Sequence, residues 1–335
     1  MFVGYKITLL RYLPTALNNQ TPIFVRHWLS KVVTTMPEIV IDARNALIGP
    51  QMSVSRILPF RKRRMVGPFI FMDHAGPVNI RGDIHHQMDV LPHPHIGLST
   101  VTYLFNGEVT HRDSLGVEQV IKPGEVNWMT AGKGIAHSER FENPAVLAGG
   151  QLEMLQTWVA LPEKDEECDP GFRNHKQHEL PEVTDNGLWM RLIAGEAFGV
   201  KSNVSTFSPL FYLHITLKAR SATALPANYS ERAIYIVKGS VEVANTVYTA
   251  RQMVVFKKEE QPIITAREDT VLMMLGGEPV GEKHIWWNFV SSRKERIEQA
   301  KADWKEGRIQ LPPLDDDEFI PLPEDRQGPP PEALS

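Results

Sequence analysis

Strand-like alternation of apolar and polar positions dominates the chain. From Glu38 to Ile57 short apolar runs are cut by the breakers Asn45 and Gly49-Pro50, which predicts short strands and turns. GPFIFMDHAGP, beginning at Gly67, is an apolar strand closed by Gly-Pro at both ends. The stretch from Leu91 to Glu139 opens LPHPHIGLSTVTYLFNG and closes PGEVNWMTAGKGIAHSE, two sets of strand-forming residues separated by turn signals. Only near the C-terminus does a helical period appear. There Ser292 and Glu295 stand at capping-box spacing, and Ile297, Ala300 and Trp304 recur on one face.

The central pattern is repeated. Residues 93–107 align without gaps to residues 225–239, pairing Pro94 with Pro226, Tyr103 with Tyr235 and Gly107 with Gly239, and the register continues to Val109 and Val241. Repetition of one β unit predicts an all-β chain built from two barrels of the same fold. A length of 335 residues, too great for most single cores, agrees. The expected division is a leader at 1–36, a first barrel at 37–165, a connection at 166–188, a second barrel at 189–291, and a helix with an acidic, proline-rich tail at 292–335. Within the connection His175 and His178 read as solvated loop residues, and order in the tail is expected to about Pro323.

Candidate chemistry concentrates in the first copy. His93 and His95 form one i, i+2 pair and His137 and Glu139 another, and on a strand each pair points to one face. Two such strands facing each other make a cup of three imidazoles and a carboxylate. That donor set suits a divalent first-row ion, and a six-coordinate ion such as Fe(II) would keep two positions open for catalysis. Pro92 and Pro94 flank His93 and remove two backbone donors, so the strand carrying His93 must lie at a start, an edge or a bulge. In the second copy Leu225 and Ala227 replace the two histidines, and no histidine occurs between His214 and His284. The second barrel is therefore expected to be structural, or to wall one side of a shared pocket.

Composition narrows the functional classes. A formal charge of -4 and a pI near 6.3 give no general attraction to nucleic acid. A single cysteine, Cys168, excludes an intrachain disulfide and fits a reducing, cytoplasmic setting; its acidic neighbours favour the inert thiol. No stretch offers the roughly 20 uninterrupted apolar residues of a membrane span. Residues 1–36 carry basic side chains and no acid, and read as a disordered extension or an artefact of start-codon choice. Arg61, Lys62, Arg63 and Arg64 form a basic cluster that reads as a solvated loop.

Four motifs in order, GPFIFMDHAGP, HPHIG, PGEVNWMTAGKGI and HSE, resemble the pirin family of the cupin superfamily, and the likeness runs from about Pro37 to the C-terminus. The resemblance implies a bicupin, two jelly-roll barrels with iron in the first, and places the family's ligands on His93, His95, His137 and Glu139. The general cupin pattern has a glutamate where this chain has Ser99; in pirins the H-x-E motif supplies the carboxylate instead. Some members cleave flavonols such as quercetin with dioxygen, which implies a small-molecule substrate, dioxygen as co-substrate, and Glu139 as proton acceptor as well as ligand. Animal members are transcriptional co-regulators, which makes a metal- or redox-sensing protein that binds a protein partner the alternative. Imidazole donors leave zinc, nickel, manganese and copper open beside Fe(II). A monomer is the expected state, since one chain already supplies the paired architecture.

Overall fold

The computed structural model describes residues 37–48, 52–80, 85–143 and 150–323, with His85 and His86 described by their backbone alone. The expected leader and the tail beyond Pro323 lie outside the described residues.

The first half contains β1 (Ile39–Asp42), β2 (Arg44–Ile48), β3 (Met52–Leu58), β4 (Phe69–Asn79), β5 (Val90–His95) and β6 (Leu98–Asn106). It continues with β7 (Val109–Asp113), β8 (Glu118–Ile121), β9 (Val126–Thr130), β10 (Ile135–Arg140), β11 (Gln151–Ala160) and β12 (Gly171–His175). The second half contains β13 (Glu182–Asp185), β14 (Leu188–Ala197), β15 (Val200–Lys201), β16 (Leu210–Leu217), β17 (Ala222–Ala224) and β18 (Glu231–Lys238). It continues with β19 (Ser240–Val243), β20 (Thr246–Thr249), β21 (Gln252–Phe256), β22 (Ile263–Ala266) and β23 (Thr270–Gly277). The hairpin β24 (His284–Trp286) and β25 (Phe289–Ser291) then leads into helix α1 (Lys294–Lys305).

Each half is a large sheet facing a small one. The first uses β12-β9-β6-β11-β4-β3-β2 and β5-β10-β7-β8; the second uses β1-β21-β18-β23-β16-β14-β13 and β17-β22-β19-β20. The two orders match strand for strand, with β6 and β18 in the same seat. That is the repeat legible in the sequence, and Gly107 and Gly239 both turn the chain at positive φ, +87° and +84°. The outermost seats are filled from elsewhere in the chain. β1 adds to β21 of the second sheet, and β12 adds to β9 of the first. The stretch read as a surface connection is thus partly built into the sheets, with β13 pairing β14 as well. His175 is correspondingly buried at the end of β12, not solvated. An alternating edge strand this short, flanked by charged residues, leaves little periodicity to see.

The two large sheets are buried on both faces, so their strands read as nearly continuous apolar runs. On β6, Val101 and Tyr103 join a core between the barrels while Leu104 points into the first barrel. On β18, Ala233 and Tyr235 join the same inter-barrel core while Ile234 and Ile236 fill the second barrel. Leucine, isoleucine, valine, phenylalanine and methionine side chains pack that second interior, and Leu225 stands among them.

The chain then returns to the first barrel. Phe289 bridges Ile96, and Val290 N–H donates to the Ile96 carbonyl at 3.2 Å. Gly97 is required at this crossing: its φ is +68°, and a Cβ would lie 2.0 Å from the Val290 carbonyl oxygen. Ile297, Ala300 and Trp304 of α1 are buried against Ile96, Ala136 and Phe289. Ser292 does not cap this helix as its spacing suggests. The cap position is Arg293, while Ser292 N–H and Oγ–H donate to the carboxylate of Glu166, which also holds the ammonium of Lys283. A buried charge pair outcompetes the local capping interaction.

Candidate metal centre

Three adjacent strands of the small first sheet each present an i, i+2 pair inward. β10 lies between β5 and β7, and His137 stands opposite His93 on one side and Asp113 on the other. Glu139 stands opposite His111. β5 is the edge strand of its sheet, which is where a strand with prolines at two of six positions can sit. A register shift between His137 and Glu139 on the β5 side separates the carboxylate from the histidine pair.

The imidazoles converge. His93, His95 and His137 each place a ring nitrogen within 4.8 Å of the other two, forming the group of potential metal donors found among the described residues. Ring centroids of His93 and His137 are 4.4 Å apart, and those of His95 and His137 are 5.1 Å apart. His93 Nδ1–H donates to the Leu91 carbonyl at 2.9 Å, and His95 Nδ1–H donates to the Asn288 carbonyl at 3.2 Å. Because a carbonyl can only accept, both rings carry their proton on Nδ1 and keep a lone pair on Nε2. The Nε2 atoms of His95 and His137 are buried without a hydrogen-bond partner. Burial also holds the rings neutral, with the His93 pKa pushed down to about 4 and those of His95 and His137 well below the ordinary histidine range. Neutral rings with unpartnered, convergent nitrogens fit a divalent cation.

Glu139 is placed differently from the other three. Its carboxyl is not within the 4.8 Å histidine group; Gln156 Nε2–H donates to it at 3.1 Å, and Thr102 Oγ1–H donates to Gln156 Oε1 at 2.7 Å. Burial raises its pKa to about 7, against the opposing pull of the hydrogen bond from Gln156. Aromatic rings wall the cup. Trp158 meets the edge of His95 at 5.1 Å and stacks on Phe71 at 4.0 Å, and Phe172 of β12 stacks on His111 at 4.4 Å.

Reading the sequence passed over four contributors: His111, Asp113, Gln156 and the Asn288 carbonyl. The H-x-D spacing of His111 and Asp113 on a predicted strand was a visible signal. A main-chain carbonyl 193 residues from its partner carries none. Within the basic cluster at Arg61–Arg64, Arg63 is paired with Glu38 and Glu231.

A double cupin with, among the described residues, a histidine triad in one barrel only is thus the class of molecule that the fold and site define. The chain belongs to the pirin family: that family's profile matches residues 51–159, and the profile of the pirin C-terminal cupin domain matches residues 212–310. It is 56% identical over 290 residues to a pirin-like protein of Caulobacter vibrioides, covering 86% of this chain and 100% of that one. Two crystal structures of quercetin 2,3-dioxygenase from Acinetobacter baumannii are also similar. One has a TM-score of 0.77 and 29% identity, covering 83% of this chain and 99% of its own. The other has a TM-score of 0.74 and 33% identity, covering 89% and 95%. Among the described residues no helix is long and apolar enough to cross a membrane.

Proposed function

We propose that this pirin is a dioxygenase that uses Fe(II), held by His93, His95 and His137 with Glu139 as a fourth, movable ligand, to open the ring of a flavonol-like or related enol substrate. The observation that carries this reading is the pair of buried, unpartnered Nε2 atoms on His95 and His137, aimed at the point His93 also faces. The likeness to quercetin 2,3-dioxygenases supports the substrate class. When bound, the iron supplies Lewis acidity toward an ionised hydroxyl and the redox chemistry that dioxygen requires.

The protein's own residues do the rest. Glu139 accepts the hydroxyl proton of the substrate, from a buried position on the β10 face that also carries His137. Gln156, itself anchored by Thr102, holds the carboxylate through one oxygen and leaves the other to receive the proton. Phe71 and Trp158 offer an aromatic wall against which a planar ring system packs, and the burial of the cup excludes bulk water.

Metal content of the purified protein, measured with oxygen uptake in the presence of quercetin on the same sample, tests this. Bound iron with quercetin-dependent uptake that disappears in His93→Ala is the expected result. Iron without uptake on any flavonol would remove the substrate class, and failure to bind iron after reconstitution would remove the centre itself.

A further inference from the structure

We infer that Asp113 and His111 are positioning residues that set the proton of His137 on Nδ1, so that its Nε2 lone pair always faces the metal position. The inference rests on the metal-centre reading above and extends it to two residues outside the ligand set.

Three buried side chains stand in line. His137 Nδ1 is 3.3 Å from His111 Nδ1, and His111 Nε2 is 2.9 Å from Asp113 Oδ2. The other oxygen of Asp113 accepts from Leu115 N–H at 2.9 Å and Val117 N–H at 3.2 Å. Oδ1 thus already accepts from two backbone donors, which leaves Oδ2 as the oxygen that faces His111. Only a proton on Nε2 of His111 can satisfy the Asp113 contact, which leaves His111 Nδ1 as an acceptor. The nitrogen opposite it must then donate, so His137 carries its hydrogen on Nδ1 and presents a lone pair at Nε2. Reversing the chain would put a hydrogen on His137 Nε2, inside the cup, and turn a lone pair of His111 toward a carboxylate. Both changes are unfavourable.

The strand register builds this alignment. His111 and Asp113 share the inward face of β7, beside the β10 face that carries His137. Asp113 is 0% exposed and His111 4% exposed, and Phe172 stacks on the His111 ring, so neither contact is diluted by water. His93 and His95 have their tautomers set by carbonyls; His137 has its tautomer set by a carboxylate acting through a second imidazole. Such outer partners raise metal affinity by about 10- to 100-fold.

The test uses cobalt(II) alone as the probe, with affinity from chelator competition and geometry from its visible absorption. Asp113→Asn keeps the oxygen that accepts from Leu115 and Val117 but turns a donor toward His111. It is expected to bind cobalt(II) about 10- to 100-fold more weakly than wild type, with an altered absorption spectrum and an apo melting temperature within a few degrees. His111→Phe, which keeps the ring stack on Phe172, should lose as much, and His111→Gln, whose amide oxygen can accept from His137 Nδ1–H, should recover most of the loss. Wild-type affinity in Asp113→Asn would overturn the inference. If that variant does not fold, equal affinities in His111→Phe and His111→Gln would overturn it instead. Wild-type protein that binds no cobalt(II) would sink the metal-centre reading itself, and the relay with it.

Discussion

Glu139 shares a strand face with His137 yet is held by an amide, and this separation decides what its substitution should do. Glu139→Gln is nearly isosteric and can still accept from Gln156 through its own amide oxygen. It removes the negative charge and the proton-accepting oxygen together. Turnover is expected to fall by about 10²- to 10⁴-fold, the range for loss of a general base, while apo stability changes little because the site loses a buried charge rather than gaining one. Steady-state oxygen consumption with matched metal loading measures this, and unchanged turnover would take the proton-accepting role from Glu139. The i, i+2 histidines and the carboxylate were legible because strand periodicity alone fixes which side chains share a face. How far Glu139 stands from the histidine group was not, because it depends on a register shift that the sequence of β10 does not announce.

β5 and β10 are also gripped from outside. Ser138 and Arg140, on the face of β10 opposite His137 and Glu139, both donate to the carboxylate of Asp315, with Arg140 Nη2 at 2.6 Å and Nε at 2.8 Å. Ile320 N–H donates to the Pro92 carbonyl at 2.8 Å, and Trp304 Nε1–H donates to the Ile320 carbonyl at 3.0 Å. The acidic tail thus lies along the backs of both β5 and β10. Asp315→Ala leaves Arg140 with Asp89 and Glu318 but ends the bidentate contact. It should cost about 1–3 kcal/mol in urea denaturation. A loss below 0.5 kcal/mol, the level of an ordinary surface change, would mean the tail does not brace the sheet. At this scale the sequence was readable in one direction. Repeating units and glycine turns announced β6 and β18. The crossing strands β1 and β12, the Asn288 carbonyl and the Asp315 clamp are long-range contacts whose partners share no local pattern.

Across the whole molecule the two barrels meet on a pseudo-symmetric pair of contacts. Tyr103 and Tyr235, equivalent in the repeat, each reach a histidine of the other half: Tyr103 Oη lies 2.9 Å from His214 Nδ1, and Tyr235 Oη lies 2.8 Å from His74 Nδ1. Arg191 donates to the Tyr103 oxygen at 2.9 Å, so the phenol proton is left to donate to His214. Burial first, then the Arg191 charge, pushes the His214 pKa down to about 3, and burial lowers that of His74 against the opposing pull of Glu153. Above about pH 6.5 His214 is neutral in both folded and unfolded chains. Below that, the unfolded chain takes a proton that the folded interface refuses, so stability falls as pH drops from about 6.5 toward 3. His93, His95 and His137 are shifted in the same direction, so a variant must isolate the interface. His214→Gln keeps an acceptor for Tyr103 and removes the titration. Measured on apo protein, the stability of wild type relative to this variant should decline by up to about 1.4 kcal/mol per pH unit as pH falls below 6.5. A gap that stays constant between pH 7.5 and 4.5 would show that His214 protonates freely in the folded protein, and that the contact between the barrels opens before the chain unfolds.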